Sequence, residues 1–181
     1  PGEPVNPEKI SHDIKALLNV IKKHAGEDAG RYVHFGATSY DIVSTATSLQ
    51  FKTAANELIV PRAKALLKTL IELTDRYTDT PQIGRTHGQH AVPITFGFAM
   101  AEYVARFGKS IRSTEVLQSQ LMGKFSGAVG AYNAISLFVD DPFKFEKSYC
   151  DKLGLEVAKY SNQIVPPGNL LRLIAEITIL S

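Results

Sequence analysis

The chain has 181 residues, of which 44% are hydrophobic and 21% are charged, and its formal net charge is +2 at pH 7. This length and balance are typical of one globular domain with a sizeable core. The positive residues are spread along the chain without a basic block or an RNA-binding aromatic motif, which excludes nucleic acid as the expected partner. The single cysteine, Cys150, excludes an intrachain disulfide and a cysteine metal cluster, and it fits a reducing cytoplasm.

Neither a membrane span nor a signal peptide is expected from these residues. No apolar run reaches the roughly 18 residues of a membrane span, and the polar start lacks the apolar core of a signal peptide. The chain begins without methionine and ends inside an apolar helical pattern, NLLRLIAEITILS. We interpret it as a fragment or a processed chain.

Helical periodicity covers most of the sequence. Between residues 8 and 24, apolar side chains recur at spacings of three and four, which predicts an amphipathic helix. A longer pattern runs from about residue 40 to residue 77, and Pro61 is expected to break or kink it because proline lacks the helical hydrogen-bond donor. A second long helix is predicted over about residues 95–122.

The stretch TDTPQIGRTHGQHAVP, residues 78–93, has a proline near each end and is predicted to be a loop. Within the second long helix, Gly97 and Gly108 permit the close approach of another helix. Further along, Asp141 as a cap and Pro142 in the first turn predict the start of a short helix.

Gly154 is expected to end that short helix, and residues 168–181 look like the start of another buried helix. Strand signals are nearly absent. The sequence therefore predicts an all-α fold, an elongated helical bundle with a small helical piece at its N-terminus. We expect residues 1–30 to end the small N-terminal domain and residues 31–181 to form the central bundle, truncated at its C-terminus.

Two histidines, His87 and His90, lie three residues apart in GRTHGQHAVPITFG and allow three interpretations. A zinc site needs three or four ligands, and no nearby carboxylate or cysteine completes a familiar spacing, so no metal is expected. A polar loop whose imidazoles only make hydrogen bonds is the second interpretation. Acid–base catalysis is the third, and it requires other polar groups to converge on the same place.

Several other polar residues are candidates for such a site. His12 and Asp13 lie within the first predicted helix, where a solvated helix face is the alternative. Residues 38–41 fit a capping box, and the same amides and hydroxyls at a helix N-terminus can bind carboxylate or phosphate. In SGAVG, residues 126–130, backbone amides could approach a ligand beside Lys124, although a tight turn is the more common reason for such a glycine run.

Four stretches resemble, in this order, those of the adenylosuccinate lyases: HDIKALL, VHFGATSYDIVSTA, GRTHGQHAVPITFG and KFSGAVGAYNA. These lyases belong to the fumarase/aspartase superfamily, and the resemblance covers nearly the whole chain. Thr-His-Gly-Gln-His-Ala followed by Pro-Ile-Thr-Phe-Gly is similar to the adenylosuccinate branch, because fumarases and argininosuccinate lyases tend to carry leucine where this chain has Gly88. The resemblance implies the helical bundle of that superfamily.

The activity that the resemblance implies is a β-elimination that cleaves a C–N bond and releases fumarate. The substrates would be adenylosuccinate, giving AMP, and the succinyl-carboxamide intermediate of purine synthesis, without a cofactor. A base removes a proton next to a carboxylate, and preorganised donors must surround the doubly charged aci-carboxylate that forms. An acid then protonates the departing nitrogen, which an imidazole can do near neutral pH.

The resemblance assigns roles residue by residue. His87 matches the general acid, and Thr86 matches a neighbouring substrate contact. His12 and Asp13 match a His-Asp pair whose histidine assists the acid and helps to hold phosphate. The remaining matches are expected to bind substrate: Thr38, Ser39, Gln89, Lys124 and Gln163.

The sequence also departs from the family pattern. Ser11 stands where some branches have an arginine, and Ile164 follows Gln163 where the family usually has an arginine–aspartate pair. Both changes concern how phosphate is held. The Gly-Ser-Ser-x-Met pattern that carries the serine base does not occur in these 181 residues, so the isolated chain is expected to be inactive. His90 is expected only to shape the loop.

The resemblance further implies a cytoplasmic homotetramer in which three subunits contribute to each active site. The expected partner is a small-molecule substrate, with neither nucleic acid nor a membrane. Three alternatives stay open: another elimination enzyme of the superfamily, such as an argininosuccinate lyase or a carboxymuconate cycloisomerase; a non-catalytic helical scaffold that keeps the motifs; and a generic helical binding domain. Substrate discrimination and the complete reading frame would separate them.

Overall fold

The computed structural model describes residues 13–181 and is mostly helical, as the sequence predicts. Its α-helices are α1 (Asp13–Gly30), α2 (Ser39–Ala54), α3 (Val60–Arg76), α4 (Phe96–Ser119), α5 (Pro142–Lys152) and α6 (Gly168–Leu180). Its short strands are β1 (Pro81–Thr86), β2 (Gln89–Thr95), β3 (Met122–Gly123) and β4 (Glu156–Val157). A π-helical segment, Ala55–Ile59, joins α2 to α3, and a 3-10 turn, Ile135–Leu137, precedes α5. Among these residues, no helix combines the length and the apolar character that crossing a membrane requires.

The helix ends follow local signals in the sequence. Pro61, where a break or kink is predicted, lies in the first turn of α3, directly after the π-helical segment. Ile59 and Val60 before it keep right-handed helical φ and ψ, so the helix changes type here without ending. The cap predicted at Asp141 is confirmed, since its carboxylate accepts a hydrogen bond of 2.9 Å from the amide of Lys144. Helix α1 is bent at Gly26, whose φ of 74° lies in the left-handed region.

The loop predicted over residues 78–93 is wrong. Strands β1 and β2 form an antiparallel hairpin in this region, with Pro81 opposite Thr95 and a bulge between Ile83 and Arg85. Proline is tolerated in such a two-stranded ribbon, because both strands are edges and Pro81 is the first residue of its strand. The prolines that suggested a loop therefore do not exclude strands here.

The described chain divides into two compact units. One comprises residues 13–46 with Met122–Pro166, and the other comprises Thr47–Leu121 with Pro167–Ser181. The domain boundary expected after residue 30 stays a prediction.

In the second unit, α3 and α4 pack together around Val60, Ala63 and Ile111. The close approach expected at the two glycines of α4 is found at one of them. A Cβ on Gly97 would lie 2.6 Å from the carbonyl oxygen of Thr74, whereas a Cβ on Gly108 would make ordinary contact with a side chain. Of these two positions in α4, packing therefore requires glycine only at residue 97.

Gly97→Ala is expected to lower the free energy of unfolding by about 1–3 kcal/mol, because backbone atoms that cannot move aside occupy the position of the added methyl group. The matched control is Gly108→Ala in the same helix. This change should be neutral or stabilising by up to about 1 kcal/mol, since alanine has the higher helix propensity. Thermal unfolding of both variants tests the contrast, and equal midpoints would count against the packing argument.

The first unit is built around aromatic residues. Phe125, Tyr132 and Ile135 form its buried cluster, and the ring of Phe125 makes edge contacts with the rings of Phe145 and Tyr149. The parallel pair of β3 and β4 lies in the same unit. Two members of this cluster, Phe125 and Tyr132, flank the glycine-rich loop of residues 126–130 in the chain.

Cys150 is a fully buried residue of α5. Burial raises the pKa of its thiol from 9.0 to about 12, and the charge of Glu146 acts in the same direction. The unfolded chain therefore releases the thiol proton at a lower pH than the folded chain does. The stability of the fold should fall as the pH rises above about 9, with a limiting slope of about 1.4 kcal/mol per pH unit. Denaturant titrations between about pH 8 and pH 10 should show a shallower slope for Cys150→Ala, and identical slopes would contradict this assignment.

Candidate active site

The Thr-His-Gly-Gln motif forms the tip of the β1–β2 hairpin. Thr86 pairs with Gln89, so His87 and Gly88 are the two residues of the connecting turn. Their φ values are 51° and 73°. Positive φ at both central positions is the mark of a type I′ turn, which matches the natural twist of a hairpin and favours glycine at its second position. The positive φ of the second turn position therefore explains why residue 88 is a glycine.

The side chains of this tip are open to solvent. Thr86, His87 and Gln89 are all exposed. The imidazole of His87 makes no hydrogen bond to another residue within 13–181, so both of its nitrogens are available to a ligand. His90 is also exposed and lies one step along β2, opposite Arg85. The hairpin thus presents His87 on a defined turn, where it can exchange a proton with a bound molecule.

A second group of predicted residues meets at the start of α2. A cavity of about 430 Å³ there is lined by Thr38 and Ser39, by His34, and by Lys15 and Lys22 of α1. This volume lies in the range of small-molecule sites. Hydroxyls, positive side chains and the N-terminus of a helix all favour an anion. The capping interaction predicted for residues 38–41 is present, because the amide of Thr38 donates to the carboxylate of Asp41 over 2.8 Å.

The structure gives Lys124 a different position from the one expected. Its side chain is 0% exposed and forms an ion pair with Asp41, which is also 0% exposed. The ammonium group donates a further hydrogen bond of 3.0 Å to the carbonyl oxygen of Gly127. Its charge is thus compensated inside the protein, whereas direct contact with a substrate carboxylate would need an accessible ammonium group.

Gln163 has a feature that suits ligand binding. Its side-chain oxygen is buried and accepts no hydrogen bond from the part of the chain that the structure describes. Leaving a buried acceptor unpaired costs about 1–3 kcal/mol. A donor on a bound molecule would remove this cost.

The predicted His-Asp pair is only partly within the described residues. His12 lies outside them. Asp13 is exposed at the first residue of α1, and its carboxylate accepts a hydrogen bond of 2.7 Å from the amide of Ile14. The expected role of this pair in holding phosphate stays a prediction.

Sequence reasoning missed the buried role of Asp41. Its position in a Thr-x-x-Asp pattern indicates a helix cap, and the structure adds a partner 83 residues away, Lys124. No local signal shows that a capping carboxylate is fully buried. Over residues 13–181, no group of three or more histidine, cysteine, aspartate or glutamate side chains is arranged to hold a metal ion.

Comparison with known proteins places these elements in a family. Residues 5–171 match the family described as Lyase. The chain is 40% identical over 158 residues to an adenylosuccinate lyase of Pyrococcus abyssi, which covers 87% of this chain and 34% of that protein. It is 37% identical over 174 residues to an adenylosuccinate lyase of Synechocystis, covering 96% and 38% respectively. The chain thus spans little more than a third of the length of these curated relatives.

The fold comparison agrees. The crystal structure of a fumarate lyase from Mesorhizobium sp. BNC1 matches with a TM-score of 0.81 and 30% sequence identity, covering 97% of this chain and 40% of that chain. The family match covers most of the sequence, and a solved lyase shares the fold over nearly all of it. The chain therefore belongs to this lyase family, the fumarase/aspartase superfamily that its four ordered motifs predict.

Proposed function

We propose that these residues form part of an adenylosuccinate lyase, which cleaves a C–N bond by β-elimination. The observation that carries the proposal is the exposed imidazole of His87, held on a two-residue turn within a motif of the adenylosuccinate branch. The reaction would convert adenylosuccinate to AMP and fumarate. The succinyl-carboxamide intermediate would be cleaved in the same way.

The chemistry divides into two proton transfers. A base takes the proton from the carbon next to a carboxylate, and the electron pair of that bond first forms the aci-carboxylate. The pair then forms the new C=C bond as the C–N bond breaks. His87 gives its proton to the departing nitrogen, so that a neutral amine leaves. Thr86 and Gln89, which flank the turn, would contact the substrate and orient the imidazole.

The anionic parts of the substrate need a separate binding surface. The cavity at the start of α2 supports this assignment, because Thr38 and Ser39 line it together with positively charged residues. Gln163 would receive a hydrogen bond from the substrate through its unpaired oxygen. His12 and Asp13 would help to hold phosphate and to assist the acid.

The serine base would come from sequence beyond these 181 residues. We further propose a cytoplasmic homotetramer, in which three subunits contribute to each active site. The exposed apolar residues of several helices, among them Leu66, Phe98 and Leu171, are consistent with helix faces that meet other parts of such an assembly. The isolated chain should therefore have no measurable turnover.

An ultraviolet assay of adenylosuccinate cleavage tests the proposal. The protein expressed from its complete reading frame should consume adenylosuccinate, and argininosuccinate under the same conditions should react at least about a hundred times more slowly, because its leaving group differs throughout. The isolated 181-residue chain is assayed in parallel.

The outcomes of this assay distinguish an adenylosuccinate lyase from the alternative functions. Preference for argininosuccinate would assign the protein to a sister branch of the superfamily. Turnover of neither substrate by the complete protein would favour a non-catalytic helical scaffold. Turnover by the isolated chain would contradict a base located elsewhere.

A further inference from the structure

One buried carboxylate joins two segments of the first unit. Oδ1 of Asp41 accepts from the ammonium group of Lys124 and from the amides of Ser126 and Gly127, each amide at 3.2 Å. Oδ2 accepts from the amide of Thr38 at 2.8 Å and again from Gly127. The carboxylate therefore connects the first turn of α2 with the glycine-rich loop more than 80 residues later in the chain.

The hydrogen bonds of the lysine backbone strengthen this connection. The amide of Lys124 donates to the hydroxyl of Thr45 over 3.1 Å, one helical turn beyond Asp41. Its ammonium group reaches forward to the carbonyl oxygen of Gly127. Buried ion pairs contribute little net stability, because both charges lose their hydration. In some proteins, a buried pair is retained because it selects one geometry among alternatives.

The geometry selected here concerns two predicted substrate ligands. The backbone amide of Thr38 donates its hydrogen bond to the carboxylate of Asp41. The hydroxyls of Thr38 and Ser39 line the adjacent cavity and make no hydrogen bond to another residue within 13–181. The Asp41 carboxylate therefore holds the backbone of the Thr38–Ser39 turn and leaves the two hydroxyls open to a ligand.

We propose that Asp41 and Lys124 are positioning residues that hold the Thr38–Ser39 turn and the loop of residues 126–130 in the arrangement that receives the anionic groups of the substrate. This inference rests on the proposed function, which makes those hydroxyls substrate ligands. Asp41 and Lys124 act through the backbone they hold and do not touch the substrate. Their loss should therefore weaken binding more than it slows the chemical step.

The test uses the complete protein with three variants and one control. Asp41→Asn removes the charge but keeps the shape, Lys124→Met removes the partner charge, and the double variant removes both. In the control, Asp28→Asn, the same chemical change is made at a fully exposed carboxylate of the same unit. Asp41→Asn should raise the KM for adenylosuccinate at least about tenfold and change kcat by no more than about threefold, the pattern of lost uniform binding. The control should match the wild type.

The double variant separates positioning from general stability. Without an uncompensated buried charge, it should recover much of the thermal midpoint that either single variant loses. Its KM should stay high, because an asparagine oxygen and nitrogen cannot replace a carboxylate that accepts three amides and an ammonium group. A KM that recovers with the thermal midpoint, or a KM in Asp41→Asn within twofold of the wild type, would overturn the inference.

Amide hydrogen exchange provides a readout that does not depend on the substrate. In Asp41→Asn, the amides of Thr38, Ser126 and Gly127 should exchange at least about ten times faster, while the amides of the β1–β2 hairpin keep the wild-type rates. Unchanged exchange at these three amides would overturn the inference even if the wild type proved inactive on adenylosuccinate. An inactive wild type with accelerated exchange would instead refute only the proposed function.

Discussion

His87→Asn should lower the kcat for adenylosuccinate by about 10²–10⁴-fold, the usual contribution of a positioned general acid. Asparagine is the informative replacement, because it adopts the left-handed backbone conformation more readily than alanine does. The φ of 51° at this position is therefore tolerated, and the turn should survive the loss of the imidazole. The variant removes the proton donor while leaving the hairpin in place.

The matched control for this prediction is His90→Asn. This histidine is also exposed, and it lies on β2 rather than in the turn. Its replacement should change kcat by less than about fivefold, since a surface substitution there removes no proton donor from the turn. Steady-state kinetics of both variants decide the question. A His87→Asn enzyme with kcat within tenfold of the wild type would exclude His87 as the acid.

Glu146→Leu should lower the free energy of unfolding by about 2–6 kcal/mol, because two buried donors lose their acceptor at about 1–3 kcal/mol each. Glu146 is 1% exposed. Its Oε1 accepts from the amide of Phe125 over 2.7 Å, and its Oε2 accepts from the hydroxyl of Tyr132. Burial, followed by this hydrogen bond, raises the pKa of Tyr132, so the phenol stays protonated and continues to donate.

Glu146→Gln separates the hydrogen bonds from the charge. The amide oxygen of glutamine can still accept from Phe125, and its nitrogen can donate to the hydroxyl oxygen of Tyr132. We expect this variant to lose no more than about 1 kcal/mol, well below the loss of the leucine variant. Thermal and urea unfolding of the two proteins give the comparison. Equal free energies of unfolding for Glu146→Leu and Glu146→Gln would show that these hydrogen bonds do not stabilise the fold.

The helices were predictable because their signals are local. Apolar spacing indicates the helical segments, Pro61 marks the change from α2 to α3, and Asp141 with Pro142 starts α5. Each of these effects acts over one or two turns of backbone, so neighbouring residues suffice to predict it. The Thr-x-x-Asp cap at the start of α2 belongs to the same class.

The hairpin was not predictable in the same way. Its strands are short and largely exposed, and its prolines resemble those of a loop. The informative signal was the His87-Gly88 pair, since a glycine at the second position favours a two-residue hairpin turn. Strand pairing depends on residues that meet across the ribbon, and periodicity along one strand does not report them.

The sequence by itself determined the family and the choice of His87 as the candidate acid, because contiguous motifs carry both, and it located most helical segments through apolar periodicity. Only the tertiary structure decided that Asp41 and Lys124 are buried and paired with each other. Charged residues are exposed by default, and nothing near either residue in the chain indicates that they face each other at 0% exposure across 83 positions. Burial and pairing of this kind depend on how distant segments pack, which is the information that local patterns lack.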